Sequence, residues 1–218
     1  ESGIGCINMD LIAGLPGDSA AGFRASLEQV LALGPGLGRS ESTERLACAL
    51  LQEAQVPVVL DADGINALAA HIDMLDTRRG RVTILTPHDG EFARLAPGAL
   101  ESSGRVEAAR AFAKAHGCIL VLKGHRTLVA TPEGNVLVNT TGCSALAKGG
   151  SGDVLTGIIA SLLAQGATAV QAAAAGVWLH GRAGDLAAED LTEYGVTPED
   201  VIVRVPHAIG KVLGGTTI

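Results

Sequence analysis

Aromatic side chains are nearly missing from this sequence: one Trp, one Tyr and three Phe among 218 residues. A core of stacked rings is thereby excluded. The 47% of residues that are hydrophobic must pack as Ala, Val, Leu and Ile, a composition suited to helices lying close on a sheet. Basic charge is also scarce. With 16 Lys and Arg against 23 Asp and Glu the formal charge is −7, which argues against nucleic acid as a partner and leaves room only for a local basic site for a nucleotide. Cys6, Cys48, Cys118 and Cys143 form no CxxC pair and have no nearby histidine spacing, so neither a zinc site nor an iron–sulfur run can be read. Free thiols of this kind fit a reducing cytoplasm. Apolar runs such as VLTGIIASLLAQG are short and interrupted by Thr, Gly and Ser, so no membrane span is expected. No charged start leads into an apolar signal core either. The chain reads as soluble and cytoplasmic.

What is present is alternation. From Gln55 onward, short β-branched runs alternate with helical patterns: VPVVL (56–60), NALAAHIDML (66–75), RVTIL (81–85), a short helix at GEFARL, RVEAARAFAKAHG (105–117) and CILVLKG (118–124). RTLVATPEGNVLVN reads as a hairpin turning at Glu133, Gly134 and Asn135. Three helical patterns follow: DVLTGIIASLLAQ, AVQAAAAGVWLHGRAGDLAAE and PEDVIVRVPHAIGKVL. Near the start, INMDLIAG suits a strand and AGFRASLEQVLAL a covering helix, with Phe23, Leu27, Val30 and Leu31 as its apolar stripe. Continuous apolar strands between helices predict an α/β fold: one domain with a mostly parallel sheet and helices on both faces.

Ligands of such sheets sit at the carboxyl ends of the strands. Three strands end in polar residues: VVL runs into DADGIN, TIL into TPHDGE, and LVL into KGHRT. Each stretch has an ordinary structural reading. Asp63 suits a helix N-cap with Asp61 as a strand-end turn residue, while Thr86, Pro87 and Asp89 suit a cap, a first-position proline and an acidic first turn. Their shared position at successive strand ends favours a site. GPGLG (34–38) is a tight turn where a substrate can approach backbone. The stretch KGGSGDVLTG (148–157) feeds a glycine-rich turn into a helix, which is an anion site, though not a Walker loop. Two readings of Asp153 stand side by side there. It caps the helix, or it takes a proton from a substrate hydroxyl while the glycine amides hold a phosphoryl group.

GPGLG, VVLDADGINAL, TPHDGEFARL, VLKGHRT, LAKGGSGDVLTGIIASLLAQG and LHGRAGDLAAE occur in this order between residues 34 and about 210. In that order they resemble the NAD(P)H-hydrate dehydratase family of the ribokinase-like superfold. The resemblance implies an ADP-dependent (S)-NAD(P)H-hydrate dehydratase, a hydro-lyase that phosphorylates the C6 hydroxyl of hydrated NADH or NADPH and eliminates phosphate. It implies ADP or ATP as donor, Mg²⁺ held largely by phosphate and water, and a homo-oligomer. By resemblance Gly38, Asp61, Asn66 and His88 contact the hydrated dinucleotide, and Asp153 serves as base. Lys123, Gly124, His125, Arg126 and Thr127 bind the nucleotide together with Gly149, Gly150, Ser151 and Gly152. Lys123 and Lys148 are candidate charge neutralisers, and His180 reads as a packed helical histidine. No protein-only metal cage is visible.

Two features depart from the family pattern. Cys143, Ser144 and Ala145 stand where Asn, Pro or Ser, and Gly are usual. Residues 3–34 resemble instead a segment of a radical-SAM coproporphyrinogen dehydrogenase, so the fold is expected to be truncated or altered on its N-terminal side, with residues 1–33 atypical. The CxxxCxxC motif of radical-SAM chemistry is missing, which excludes that activity. Two further functional readings are a kinase of a small vitamin-precursor alcohol and a catalytically inactive nucleotide-binding remnant.

Overall fold

The computed structural model describes residues 30–34, 36–38 and 40–214; the strand expected over INMDLIAG lies outside them. Six strands form one sheet in sequential order: β1 (Leu31–Leu33), β2 (Val58–Leu60), β3 (Thr83–Leu85), β4 (Ile119–Leu122), β5 (Leu128–Ala130) and β6 (Val136–Val138). The first four run parallel, and β5 and β6 return as the expected hairpin. VVL, TIL and ILVL are buried throughout, which is why they read as unbroken apolar runs.

Between β1 and β4 lie α1 (Glu41–Glu53), α2 (Ala62–Leu68), α3 (Met74–Thr77), α4 (Asp89–Leu95) and α5 (Ala99–His116). Parallel strands laid down in sequence with crossovers of one hand put every connecting helix on the same side. The core obeys this: Leu33, Val58, Leu60, Leu85, Leu120 and Leu122 pack against Leu51, Ile65, Leu75, Phe92 and Phe112 of the five helices. Phe92 and Phe112 meet edge to face at 5.3 Å, a geometry that aromatic quadrupoles favour.

The alternate residues Val59, Ile84, Ile119, Val121 and Val129 face the other way. They are covered by α6 (Ser151–Ala164) and α7 (Ala169–Gly195) through Leu155, Ile159, Ala172 and Val177. A final helix, α8 (Pro198–Val212), packs outside these two through Val201, Val205 and Ala208. Both faces are thus helix-covered, as expected.

Two expectations fail locally. Leu31–Leu33 is not the end of a helix but strand β1, with Leu31 opposite Val58 and Leu33 opposite Leu60; pairing with a buried neighbour outweighs the helical spacing of Val30 and Leu31. The helix expected over 66–75 breaks after Leu68, where tighter bonds from His71 N to Leu68 O and from Met74 N to His71 O replace α-helical ones.

Arg78 ties the opposite end of the sheet together. It is 1% exposed, yet it has no carboxylate partner among the described residues. Its Nε donates to Thr83 Oγ1, Nη1 to the carbonyls of Leu51 and Ala54 at 2.7 Å, and Nη2 to that of Val56 at 3.2 Å. The carbonyls of Leu51 and Ala54 end α1, so the cation sits at the negative end of a helix. Burial lowers its pKa from 12.5 to about 10. Arg78→Leu strands several buried carbonyls and should cost about 3 kcal/mol in denaturant unfolding. Arg78→Lys keeps the charge but not the planar fork and should recover only part of that loss.

Candidate functional site

Parallel pairing brings the carboxyl ends of β1 to β4 to one rim, and the ladder continues one step beyond each strand. Asp61 N donates to Leu33 O, Thr86 N to Leu60 O, and Lys123 N to Pro87 O, all at 2.8–2.9 Å. His88 and Lys123 form a further parallel bridge. The side chains of Asp61, His88 and Lys123 are therefore registered against one another by main-chain bonds.

At the centre of the rim the Lys123 ammonium lies 2.6 Å from Asp61 Oδ1. Thr156 Oγ1, in the second turn of α6, donates to Asp61 Oδ2 at 3.2 Å. Glu91 Oε2 stands 3.9 Å from the same ammonium. Gly152 lies directly on this pair: a Cβ there would sit 3.1 Å from Lys123 Nζ and 3.2 Å from Asp61 Oδ2. A side chain there would press the pair apart by a few tenths of an ångström, and glycine avoids this. Gly150 turns the chain into the helix at φ 89°, a left-handed conformation. Asp153 occupies the first turn, half-buried, with its amide 3.1 Å from Gly150 O. Above Gly149 the space is open, with no atom within 4 Å of where a Cβ would stand.

Lys123–Thr127 forms a braced loop. Arg105 Nη2 donates to the carbonyls of Leu122 and Lys123, and Nη1 to that of His125, while Arg105 Nε lies 3.2 Å from Asp89 Oδ1. Arg126 is held at φ 60°, and Thr127 Oγ1 donates to Gly124 O. Gly38, Asp63 and Asn66 share a neighbouring cleft of about 230 Å³ with Ser40, Glu41, Glu44 and Ala67. Gly38 N donates to Asp63 Oδ2 at 3.1 Å, and Arg94 holds Asn66 Oδ1. Among the described residues three carboxylates line this cleft, a lining that accepts hydrogen bonds from donors such as hydroxyls.

Several sequence assignments change. The N-cap of α2 is Asp61, not Asp63. The N-cap of α4 is His88, not Thr86: its Nδ1 accepts from the amides of Gly90 and Glu91 while Glu91 Oε2 accepts from His88 N, a reciprocal capping box. His88 Nε2 lies 3.5 Å from Glu91 Oε1 on a half-exposed side chain. The N-cap of α6 is Gly150 rather than Asp153. Lys148 is not a neutraliser at the glycine turn; its ammonium donates to the carbonyls of Tyr194 and Val196, at 2.8 and 2.6 Å, where α7 ends. Asp61 is 1% exposed, and its carboxylate is engaged by Lys123 and Thr156.

Glu91, Arg105 and Thr156 escaped the sequence reading. Thr156 had a faint signal, since it lies one helical turn beyond Gly152 and shares its face. His180, on α7, is packed as read: it is buried, its ring is hydrogen-bonded to the Ser151 backbone, and Lys123 is close enough to act on its charge. Its Nε2 has no partner among the described residues.

The sequence profile of the NAD(P)H-hydrate dehydratase family matches residues 11–207. The match begins inside the segment that resembled a radical-SAM enzyme, and that second resemblance finds no support in these comparisons. The bifunctional NAD(P)H-hydrate repair enzyme Nnr of Moorella thermoacetica is 44% identical over 83% of this chain and 34% of its own length. The ADP-dependent (S)-NAD(P)H-hydrate dehydratase of Neisseria meningitidis is 43% identical over 82% of this chain and 63% of its own. The chain thus spans about a third of the bifunctional relative and under two thirds of the other. The ADP/ATP-dependent NAD(P)H-hydrate dehydratase of Bacillus subtilis, co-crystallised with ATP and Mg²⁺, superposes with a TM-score of 0.70 at 32% identity, covering 84% of this chain and 64% of that one.

Burial, more than any neighbour, lowers the His180 pKa from 6.5 to about 4. The folded state therefore resists a proton that the unfolded chain accepts. The stability is complete above pH 6.5 and is lost as pH falls towards 4, by about 3 kcal/mol from this residue. Unfolding free energies measured between pH 7 and pH 4 should show this slope, and His180→Leu should flatten it.

Proposed function

The chain belongs to the NAD(P)H-hydrate dehydratase family, and on that premise we propose that it repairs hydrated NADH and NADPH as an ADP-dependent (S)-NAD(P)H-hydrate dehydratase. The observation that carries the reading is the Asp61–Lys123 pair directly beneath Gly152, with Asp153 next along the same turn. We further place it in the cytoplasm, as a single catalytic domain, assembling with copies of itself. The exposed apolar Val203, Val212 and Leu213 of α8 and its end support self-association.

In this reading Gly38 and His88 orient the hydrated dinucleotide, and the Lys123–Thr127 loop and the Gly149–Gly152 turn receive the donor. Bound ADP or ATP supplies the phosphoryl group and Mg²⁺ supplies countercharge. Gly149 is exposed, with nothing within 4 Å of a Cβ position, so no side chain bars a phosphoryl group there. The cation would be held chiefly by phosphate oxygens and water, as Mg²⁺ commonly is beside nucleotide phosphates. Asp153 takes the proton of the C6 hydroxyl as its oxygen attacks phosphorus and the bond to the leaving nucleotide breaks. The C6–O bond then breaks with loss of phosphate, a proton leaves C5, and the ring double bond is restored. Amides at the mouth of α6 hold the moving phosphoryl group, where the helix dipole favours negative charge.

Return of the reduced-nicotinamide absorbance, on mixing hydrated NADH with ADP and Mg²⁺, tests the reading directly. Asp153→Asn should lower the rate by about 10²–10⁴-fold while calorimetric ADP binding persists. An unaltered rate in this variant would remove Asp153 as base, and no recovery by the unaltered chain with either ADP or ATP would remove the activity.

A further inference from the structure

We propose that Asp61 is a positioning residue for phosphoryl transfer, holding Lys123 against the glycine turn and acting through that lysine without touching substrate. The inference rests on the dehydratase reading and extends it to Thr156, which fixes Asp61 in turn.

A lysine ammonium on four flexible carbons has about 2 kcal/mol of rotamer entropy to lose before it serves as a directed charge. Here that freedom is removed by Asp61 Oδ1 at 2.6 Å. Asp61 has no freedom of its own. Its amide is bonded to Leu33 O, its carbonyl accepts from Gly64, and Oδ2 accepts from Thr156. At 1% exposure neither oxygen is offered to a ligand. The ammonium has three donors, and one is directed at Asp61. Glu91, at 3.9 Å, is beyond hydrogen-bond range, so two donors remain for an anion on the Gly152 side, where a Cβ would stand 3.1 Å from Nζ.

The charges make the same point. Asp61 cancels Lys123 in the resting site, so the partly buried lysine is stable without an anion. An arriving phosphoryl group then meets an ammonium already aimed at the turn, with no reorganisation needed as charge develops. Thr156 matters because it keeps the carboxylate plane turned towards Lys123 and joins the pair to α6, the helix that carries Gly152 and Asp153.

The test is a double-mutant cycle on repair kinetics with hydrated NADH, ADP and Mg²⁺, using Asp61→Asn, Lys123→Met and the double variant, alongside calorimetric ADP titration of each. Asp61→Asn is expected to lower kcat about 10²-fold and to leave KM for hydrated NADH within about threefold. In the Lys123→Met background it should add almost nothing, because its partner is gone. Effects that multiply would show Asp61 acting independently of Lys123 and overturn the proposal. So would a raised KM for hydrated NADH at unchanged kcat, which would mark Asp61 as a substrate contact. Should Asp61→Asn fail to fold, Thr156→Val replaces it in the same cycle, with a smaller loss expected in the presence of Lys123 and none in its absence; equal losses in both backgrounds overturn the proposal. If the unaltered chain shows no repair, the dehydratase reading fails by itself. ADP affinity then decides the point: losses that fail to add support the Asp61–Lys123 coupling, and additive losses refute it.

Discussion

A partly exposed ammonium and a buried carboxylate 2.6 Å apart are what the rim of this sheet is arranged around. A buried carboxylate alone would be costly, and removing its partner would leave a charge with no solvent to stabilise it. The Asp61–Lys123 pair avoids this by satisfying each charge with the other and by engaging the Thr156 hydroxyl. The interaction joins three parts of the chain that have no local reason to meet: the end of β2, the end of β4 and the first turns of α6. The glycine turn then eases a tight approach, since a Cβ on Gly152 would stand 3.1 and 3.2 Å from the two charged groups.

Strand order explains why α6 arrives there at all. Four parallel strands in sequence place α1 to α5 on one face, so the apolar groups of the other face need covering from elsewhere. The β5–β6 hairpin reverses the chain without adding a crossover helix, and α6 and α7 then lie across Val59, Ile84, Ile119, Val121 and Val129. Packing demands a helix on that face; the glycine turn makes its positive end a place for an anion. Cover for the sheet and charge for the site come from one element.

How much of this was legible follows from the range of each interaction. VVL, TIL and ILVL could be read because burial on two faces leaves an unbroken apolar run, and GGSGD because glycines stood directly before another. LAL at 31–33 could not, since Val30 and Leu31 continue a helical stripe and only pairing with β2 reveals a strand. His88 was passed over as a cap because aspartate and threonine are the commoner choices, although the His-x-x-Glu spacing to Glu91 is that of a capping box. Lys148 looked free to meet a phosphate until the end of α7 came back to it, 46 residues on. Asp61 and Thr156 lie 95 residues apart, and nothing local to either predicts their contact.

The division of labour between the two faces has a further consequence for how the chain is made. Among the described residues, six strands are complete before any residue of α6 or α7 is made. At that stage one side of the sheet already has α1 to α5, while Val59, Ile84, Ile119, Val121 and Val129 still lack α6 and α7. Such a half-covered sheet is the kind of intermediate that sticks to its neighbours. Its protection and the glycine mouth arrive together, because the segment that dries the exposed side is the one that brings Gly152, Asp153 and Thr156 to the rim.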